Sequence, residues 1–225
     1  MILCIDTSTD ICSVALCDNR LTISHLEIFG SNAHASSLTP LIERLLGENK
    51  LTFDNIDAVA VSSGPGSYTG LRIGVSTAKG LCYAAALPLI AVPTLDIVAE
   101  AIFTHHAEAQ TACPMLDARR MEVYTQLVTR SGERLSPVEA KVIDASSFAG
   151  ELSGEIYFGG NGAAKCKSVI DNANARFVDD AFPVAENMSR LACERFEQSK
   201  FEDVAYFEPF YLKEFVATVP KNKVF

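Results

Sequence analysis

The segment SSGPGSYTGLRIGVSTAKG, residues 62–80, follows an apolar run at 56–61 and joins a glycine-rich loop to a helical pattern. The run predicts a buried strand, and the segment after it predicts a turn and then a helix from about Thr69 to Ala86. Many proteins bind phosphate groups with a glycine-rich loop between a strand and a helix. The first question is therefore whether this loop holds a nucleotide.

Two known phosphate-binding patterns do not fit the loop. A Walker loop requires G-x-x-x-x-G-K-[ST], but the nearest lysine after Gly64 and Gly66 is Lys79, well inside the predicted helix. The dinucleotide fingerprint G-x-G-x-x-G fails as well, because Thr69 occupies its third glycine position and Gly70 comes one residue late. No acidic residue lies near position 86 to bind a ribose. The loop therefore resembles a phosphate loop only in part.

The glycines within the predicted helix indicate a close packing contact. Gly70, Gly74 and Gly80 each cost about 1 kcal/mol of helix stability relative to alanine. Gly70 and Gly74 are four residues apart, so that with Thr77 and Ala78 they form a face of small residues. Such a face packs either on the chain's own elements or on a helix of a second chain. Our hypothesis is that it admits a partner helix, so that Gly74→Leu weakens dimerisation and leaves the fold mostly intact.

The remaining pattern predicts two lobes of mixed sheet and helix. Three strands at the N-terminus form an antiparallel meander, and a helix follows at 32–47. That helix is either kinked at Pro40 or begins there with Thr39 as its cap, and Gly47 is its expected end. Strand and helix then alternate to residue 105, and strands at about 109–144 open a second series. We place the lobes at 1–105 and 106–225.

Composition limits the classes of function. The net charge is −9, which argues against a broad basic surface for nucleic acid. Seven cysteines are scattered singly, which predicts buried, reduced thiols in a cytosolic protein. The N-terminus lacks a signal-peptide pattern, and the most apolar window, at 84–92, is short and contains Pro88. We therefore expect an intracellular protein with no membrane contact.

Six segments together resemble one family, TsaB, also called YeaZ. In chain order they are ILCIDTSTDICSVAL (2–16), SSGPGSYTGLRIGVSTAKGL (62–81), LPLIAVPTLD (87–96), LDARRMEVY (116–124), FGGNGA (158–163) and PFYLK (209–213). The first two are highly specific as a pair. The resemblance implies the actin-like, Hsp70-like (ASKHA) two-lobe α/β fold. It also implies a non-catalytic role in the bacterial synthesis of threonylcarbamoyladenosine in tRNA, within a wider family that carries an old glycoprotease label.

The same resemblance implies several partners. The catalytic paralogue TsaD is expected to bind the helices at 32–47 and 69–86, and without it such chains tend to form homodimers through the same surface. TsaE, an ATPase, is the implied third component, TsaC supplies the activated intermediate, and tRNA is reached through the complex. No cofactor is expected on this chain alone, although ATP could bind at the interface of the complex. The predicted interface residues are Ala35, Leu38, Ile42, Tyr68, Thr69, Gly70, Ile73, Gly74, Thr77 and Leu81.

The metal chemistry of the paralogue is not expected here. TsaD carries two metal-binding histidines four residues apart, and the matching positions in this chain are Thr94 and Val98, which cannot replace imidazole ligands. No metal site and no catalytic residue are therefore predicted. We expect His34 at the surface or in an interface, and we place the others on a strand face or at a solvated helix end: His25, His105 and His106.

The alternative hypothesis is a small actin-like ATPase or phosphotransferase. It would use Asp6, the loop at 64–67 and the turn at 159–162, with nucleotide contacts at Asp6, Ser67 and Arg119. Ser67 or Thr69 would cap the helix in either case. An acyl-transfer reaction at Ser67 lacks a candidate base nearby in the sequence.

Two regions stay open. The acidic and basic residues at 117–122 form a salt-bridged turn or a ligand site, and the tail after Pro209 packs on the first lobe or extends away.

Overall fold

A five-stranded mixed sheet forms the first half of the protein. The computed structural model describes residues 1–30 and 34–213. Strands β1 (Ile2–Asp6), β2 (Ile11–Asp18) and β3 (Leu21–Phe29) pair in antiparallel fashion, which confirms the predicted meander. Strands β4 (Ala58–Ser62) and β5 (Leu89–Val92) extend the sheet parallel to β1, so the order is β3-β2-β1-β4-β5.

Two helices cover one face of this sheet. Helix α1 spans His34–Glu48 and helix α2 spans Tyr68–Ala85, and their apolar sides share a core with β1, β2 and β4. Helix α1 continues through Pro40, which excludes the alternative that it begins there with Thr39 as its cap. Its buried leucines and isoleucine keep it on the sheet even though proline cannot donate a backbone hydrogen bond. Gly47 lies within the helix, which ends at Glu48. The residue with left-handed backbone geometry after the helix is Lys50 (φ 55°).

The second sheet repeats the topology of the first. Its order is β11-β10-β6-β7-β9, with β8 paired to β6. Strands β6, β7 and β9 are antiparallel neighbours and β10 and β11 run parallel to β6, as in the first sheet. The strands are β6 (Thr111–Asp117), β7 (Glu122–Thr125), β8 (Val128–Thr129), β9 (Glu139–Val142), β10 (Ile156–Gly159) and β11 (Ala175–Phe177).

This second copy carries less helix than the first. Residues 143–155 form turns at the place where the first half has the 15-residue α1. Helix α4, Ala163–Cys166, has four residues where α2 has 18. The second lobe therefore offers little helical surface around its sheet.

Two helices cross from one half of the sequence to the sheet of the other. Helix α3 (Thr94–His105) buries Leu95 and Ile102 in a cluster with residues of β6. Helix α5 (Ser189–Glu197) lies on the open face of the first sheet, together with a short 3₁₀ helix at Ala185–Met188. The division at residue 105 stays a prediction, because elements from both sides of it pack on both sheets.

The buried core agrees with the composition. All seven cysteines are buried and none forms a disulfide, as the sequence predicted. The helices in the described parts of the chain include none long and apolar enough to cross a bilayer.

Candidate functional site

Helix α2 begins beside the turn that joins β1 to β2. Ser67 is its N-cap residue, and the Ser67 hydroxyl accepts a hydrogen bond from the Gly70 amide at 3.3 Å. This contact satisfies one of the amides that the first turn of a helix leaves unpaired. Of the two caps predicted, the structure therefore selects Ser67 over Thr69.

The loop before α2 uses its amides within the chain. The Ser63 amide donates to the Val92 carbonyl at 2.8 Å, and the Ser67 amide donates to the Ser8 carbonyl at 2.7 Å. The Gly64 amide donates to Thr94 Oγ1 at 3.1 Å. A phosphate loop presents such amides to its ligand. Because these three amides donate within the chain, the loop connects β4 to β5 and to the β1–β2 turn.

The glycines of α2 make room for the chain's own β1–β2 turn. A Cβ on Gly70 would lie 2.0 Å from the Thr7 carbonyl oxygen, and a Cβ on Gly74 would lie 2.3 Å from Thr7 Oγ1. The Thr7 hydroxyl also donates to the Gly70 carbonyl at 2.7 Å. The hypothesis that this face admits a partner helix is therefore wrong. Gly74→Leu would disturb the fold itself.

The predicted interface residues divide by burial. Four of them are buried in the chain's own core: Leu38, Ile42, Gly70 and Gly74. Four are half-buried: Tyr68, Ile73, Thr77 and Leu81. Only Ala35 and Thr69 are exposed. Ile73 and Leu81 pack against the cluster that contains Leu38 and Ile42, so α1 and α2 hold each other through these residues.

The solvent face of α2 carries Thr69, which the sequence analysis assigned to an interface, and two residues that it did not assign, Ser76 and Gly80. Thr69, Ser76 and Gly80 are exposed and lie on one line of the helix, at spacings of seven and four residues. A Cβ on Gly80 would meet nothing within 4 Å. We use the name α2 groove for the strip of helix surface that these three residues form beside the exposed Arg72. The helical spacing of these residues could be seen in the sequence, and so could that of Gly70 and Gly74. Periodicity alone does not show which of the two faces packs against the rest of the chain.

Asp6 lies at the end of β1 and is fully buried. Its carboxylate accepts hydrogen bonds from the Ser8 amide and from the Ser8 hydroxyl, at 3.1 and 3.0 Å. Burial raises the pKa of Asp6 to about 7, although these hydrogen bonds act in the opposite direction. The side chain is closed off from solvent, and in this arrangement it cannot make the nucleotide contact considered for it.

Asp6→Asn is expected to remove a pH-dependent part of the free energy of unfolding. The pKa of an aspartate in an unfolded chain is near 4. Between pH 4 and 7 the native protein therefore binds more protons than the unfolded chain, and the free energy of unfolding falls as the pH rises. Above pH 7 the loss levels off at roughly 4 kcal/mol. Urea unfolding at several pH values from 4 to 8 measures this fall in the wild-type protein and its absence in the variant.

The exposed Asp18 provides the control for that experiment, because Asp18→Asn removes one negative charge without changing the buried turn. If the wild-type protein and Asp6→Asn had the same pH profile, Asp6 would not be the group that titrates.

A cavity of about 480 Å³ lies between the two sheets, in front of the N-terminus of α2. Of the residues considered for nucleotide contact, Ser67 and Arg119 line it, and Asp6 does not. Phe210 and Lys213, from the last described segment, also line it.

The Phe210 amide donates to the Ser63 carbonyl at 2.7 Å, which places this segment on the loop before α2. The described part of the tail therefore packs back on the first lobe, and residues 214–225 lie outside the described residues.

Two charged residues that line the cavity, Asp117 and Lys213, are in ion pairs with neighbouring residues. The Lys165 ammonium contacts the Asp117 carboxylate at 2.5 Å, and Lys213 pairs with Glu122. The Arg119 amide donates to Asp117 Oδ1 at 2.7 Å. The segment at 117–122 is therefore a turn whose acids are salt-bridged by lysines from elsewhere in the chain.

The positions that match the metal ligands of the paralogue are both buried. Thr94 Oγ1 accepts the hydrogen bond of the Gly64 amide, and Val98 lies in the cluster that α3 forms with β6. His34, expected at the surface or in an interface, is buried within the chain, and its Nε2 lies 2.7 Å from the Thr9 carbonyl oxygen. It ties the beginning of α1 to the β1–β2 turn. Across residues 1–30 and 34–213, no cluster of three His, Cys, Asp or Glu side chains has a geometry suited to a metal ion.

Comparisons with solved structures agree with this architecture. YeaZ from Pseudomonas aeruginosa superposes with a TM-score of 0.78 at 28% identity, over 94% of this chain and 99% of that chain. The activator of the 2-hydroxyisocaproyl-CoA dehydratase from Clostridium difficile, solved with bound ADPNP, has a TM-score of 0.53 at 11% identity. It covers 88% of this chain and 96% of its own. The actin-like two-lobe fold is confirmed, and the second likeness shows the fold alone.

Sequence comparisons identify the family. The family model described as TsaD, tRNA N6-adenosine threonylcarbamoyltransferase, matches residues 29–221. The transferase of that name from Bacillus thuringiensis is 33% identical over 144 residues, which are 57% of this chain and 41% of the relative. The tRNA threonylcarbamoyladenosine biosynthesis protein TsaB of Escherichia coli is 33% identical over 224 residues, 96% of both chains. This chain therefore belongs to the TsaB (YeaZ) family.

Proposed function

We propose that this chain takes part in the biosynthesis of threonylcarbamoyladenosine in tRNA as a non-catalytic subunit. In this role it binds and activates a TsaD-type transferase. Relatives that match almost the whole chain carry the TsaB name, and that name describes a biosynthesis protein rather than a transferase. The internally bonded loop and the buried Asp6 support a role without chemistry of its own.

The α2 groove is the observation that carries this proposal. Thr69, Ser76 and Gly80 present small side chains to solvent along a helix that is anchored to the sheet on its other side. Small residues allow the axis of a second helix to approach at the short end of the usual 8–10 Å range. An exposed helical glycine costs about 1 kcal/mol, and Gly80 has no neighbour within the chain that requires it. A helix of the partner subunit provides the reason for it.

The proposal includes further components. In the absence of the transferase, two copies of this chain pair through the α2 groove as a homodimer. A TsaE-like ATPase joins the complex, ATP binds at the interface of the complex, and tRNA is contacted through the transferase. The cytoplasm, where tRNA is modified, is the proposed location.

One observation favours the alternative of a small ATPase or phosphotransferase, namely the cavity between the sheets. Its volume of about 480 Å³ lies within the range of small-molecule sites. Two observations argue against a nucleotide in this cavity. Residues of the tail segment already line it, and Asp117 and Glu122 are paired with lysines. The scaffold is therefore the better-supported function.

A reconstituted reaction tests the two functions together. It contains TsaC-, TsaD- and TsaE-type proteins, tRNA, threonine, bicarbonate and ATP, with and without this chain. We expect threonylcarbamoyladenosine, read by nucleoside chromatography, only when the chain is present. The isolated chain should hydrolyse no ATP. Equal product with and without the chain would contradict the scaffold, and ATP turnover by the isolated chain would support the alternative.

A further inference from the structure

The segment at 201–211 returns from α5 and lies along α2. The Glu202 amide donates to the carbonyl of Leu89, the first residue of the edge strand β5, at 2.8 Å. The Lys79 ammonium donates to the carbonyls of Ala205 and Phe207, at 3.1 and 2.9 Å. The Phe207 side chain packs against the core of the first lobe. A helix side chain and a core contact therefore hold the segment beside α2.

The segment turns sharply at Asp203. Asp203 Oδ1 accepts hydrogen bonds from the amides of Ala205 and Tyr206, at 2.8 and 3.1 Å. The Phe207 amide donates to the Asp203 carbonyl at 2.8 Å. These bonds fix the backbone on both sides of Tyr206, whose ring nevertheless points outward and is 84% exposed.

A second groove lies between this segment and the C-terminal half of α2. Its volume is about 620 Å³, and its lining residues are Lys79, Gly80, Tyr83, Asp203, Val204 and Ala205. Tyr83 is 86% exposed. Gly80 belongs both to this groove and to the α2 groove, so the two surfaces are continuous.

The chemistry of this surface fits a protein partner. Its lining contains one lysine and one aspartate, whose charges sum to zero, and the lysine donates to two backbone carbonyls, so the groove offers no net positive charge to an RNA phosphate. Tyrosine on a fixed backbone is enriched among the residues that dominate binding at protein interfaces. It brings a large apolar contact area at a small loss of side-chain entropy.

We propose that Tyr83 and Tyr206 form an aromatic wall of the interface with the transferase subunit, and that Lys79 positions this wall. The partner helix that enters the α2 groove lies with one side against these two rings. This inference rests on the proposed function, and it adds the segment at 201–211 to a surface otherwise made of α1 and α2. A second copy of this chain is the competing occupant.

Binding of the full-length chain to the TsaD-type subunit, measured by titration calorimetry, tests the wall. Tyr83→Ala and Tyr206→Ala are each expected to raise the Kd about 10-fold or more. Leu135→Ala, which truncates an exposed apolar side chain on the second lobe, is the matched control and should leave the Kd unchanged. Because all three side chains are exposed, urea unfolding should be the same for each variant.

The positioning role of Lys79 has a separate readout. Lys79→Met leaves both tyrosines in place but removes the donors to Ala205 and Phe207, so it should also raise the Kd. Lys79→Arg, which keeps hydrogen-bond donors, should restore most of the affinity. Faster amide hydrogen exchange at 203–207 in the Met variant alone would confirm that the segment has been released.

The outcomes separate this inference from the proposed function. If Gly80→Leu abolished binding and neither tyrosine variant changed the Kd, the wall would be wrong and the scaffold would stand. If the tyrosine variants weakened only self-association in sedimentation, the wall would belong to the homodimer and the inference would be overturned. If the wild-type chain did not bind the transferase subunit, the proposed function itself would fail.

Discussion

Gly70→Leu is expected to prevent the chain from reaching its native fold, whereas Gly80→Leu on the same helix leaves the fold intact. A Cβ at position 70 would lie 2.0 Å from a backbone oxygen of Thr7, so the β1–β2 turn or the helix must move. Overpacking against a rigid backbone places this variant in the most destabilising class, with a loss of at least about 3 kcal/mol. Gly74→Leu meets the Thr7 side chain and should behave in the same way.

The measurement is urea unfolding followed by circular dichroism, with Gly80→Leu as the matched control. A side chain at position 80 enters open space, and leucine has a higher helix propensity than glycine by up to about 1 kcal/mol. The control should therefore be as stable as the wild type or slightly more stable. A fully stable Gly70→Leu protein would mean that the helix does not lie against Thr7.

Gly80→Leu is also expected to abolish binding of the transferase subunit, with a rise in Kd of at least 100-fold. The leucine side chain would project from position 80 into the α2 groove and would prevent the close approach of the partner helix. Loss of close packing at the centre of an interface can cost more than 2 kcal/mol, and a steric block costs more than a simple truncation. Calorimetry with the purified subunit gives the Kd, and the reconstituted reaction should lose its product in parallel.

Gly150→Leu is the control for this second experiment, because it makes the same change at an exposed glycine of the other lobe with no neighbour within 4 Å. Its Kd and product yield should equal those of the wild type. Unchanged binding by a folded Gly80→Leu protein would contradict the placement of the interface on this face of α2.

Much of this architecture could be predicted from local pattern. The meander β1–β3 and the alternation from β4 to α3 follow from hydrophobic periodicity, and the structure places these elements within a few residues of the predicted bounds. Pro40 left the start of α1 open, because local sequence shows the cost of a proline but not the burial of α1 that offsets it.

The candidate site was harder to predict, for a physical reason. Gly70 and Gly80 look alike in the sequence, since both are helical glycines on small-residue faces. They differ only in what lies opposite, and the neighbour of Gly70 is Thr7, 63 residues away along the chain. The burial of Asp6 likewise depends on packing between elements distant in sequence. The local sequence around it reads as an ordinary exposed turn.

The late arrival of α5 has a consequence for the chain as it is synthesised. The face of the first sheet that α1 and α2 cover is rich in leucine, isoleucine and valine, and both helices leave the ribosome early. The opposite face waits for α5, which follows β5 by about 100 residues, or roughly 5–20 s of translation. The central strands line that face largely with alanine and cysteine: Cys4, Ala15, Cys17, Ala58 and Ala60. These small side chains expose little apolar area, so this face of the nascent chain is a weak target for aggregation until α5 covers it.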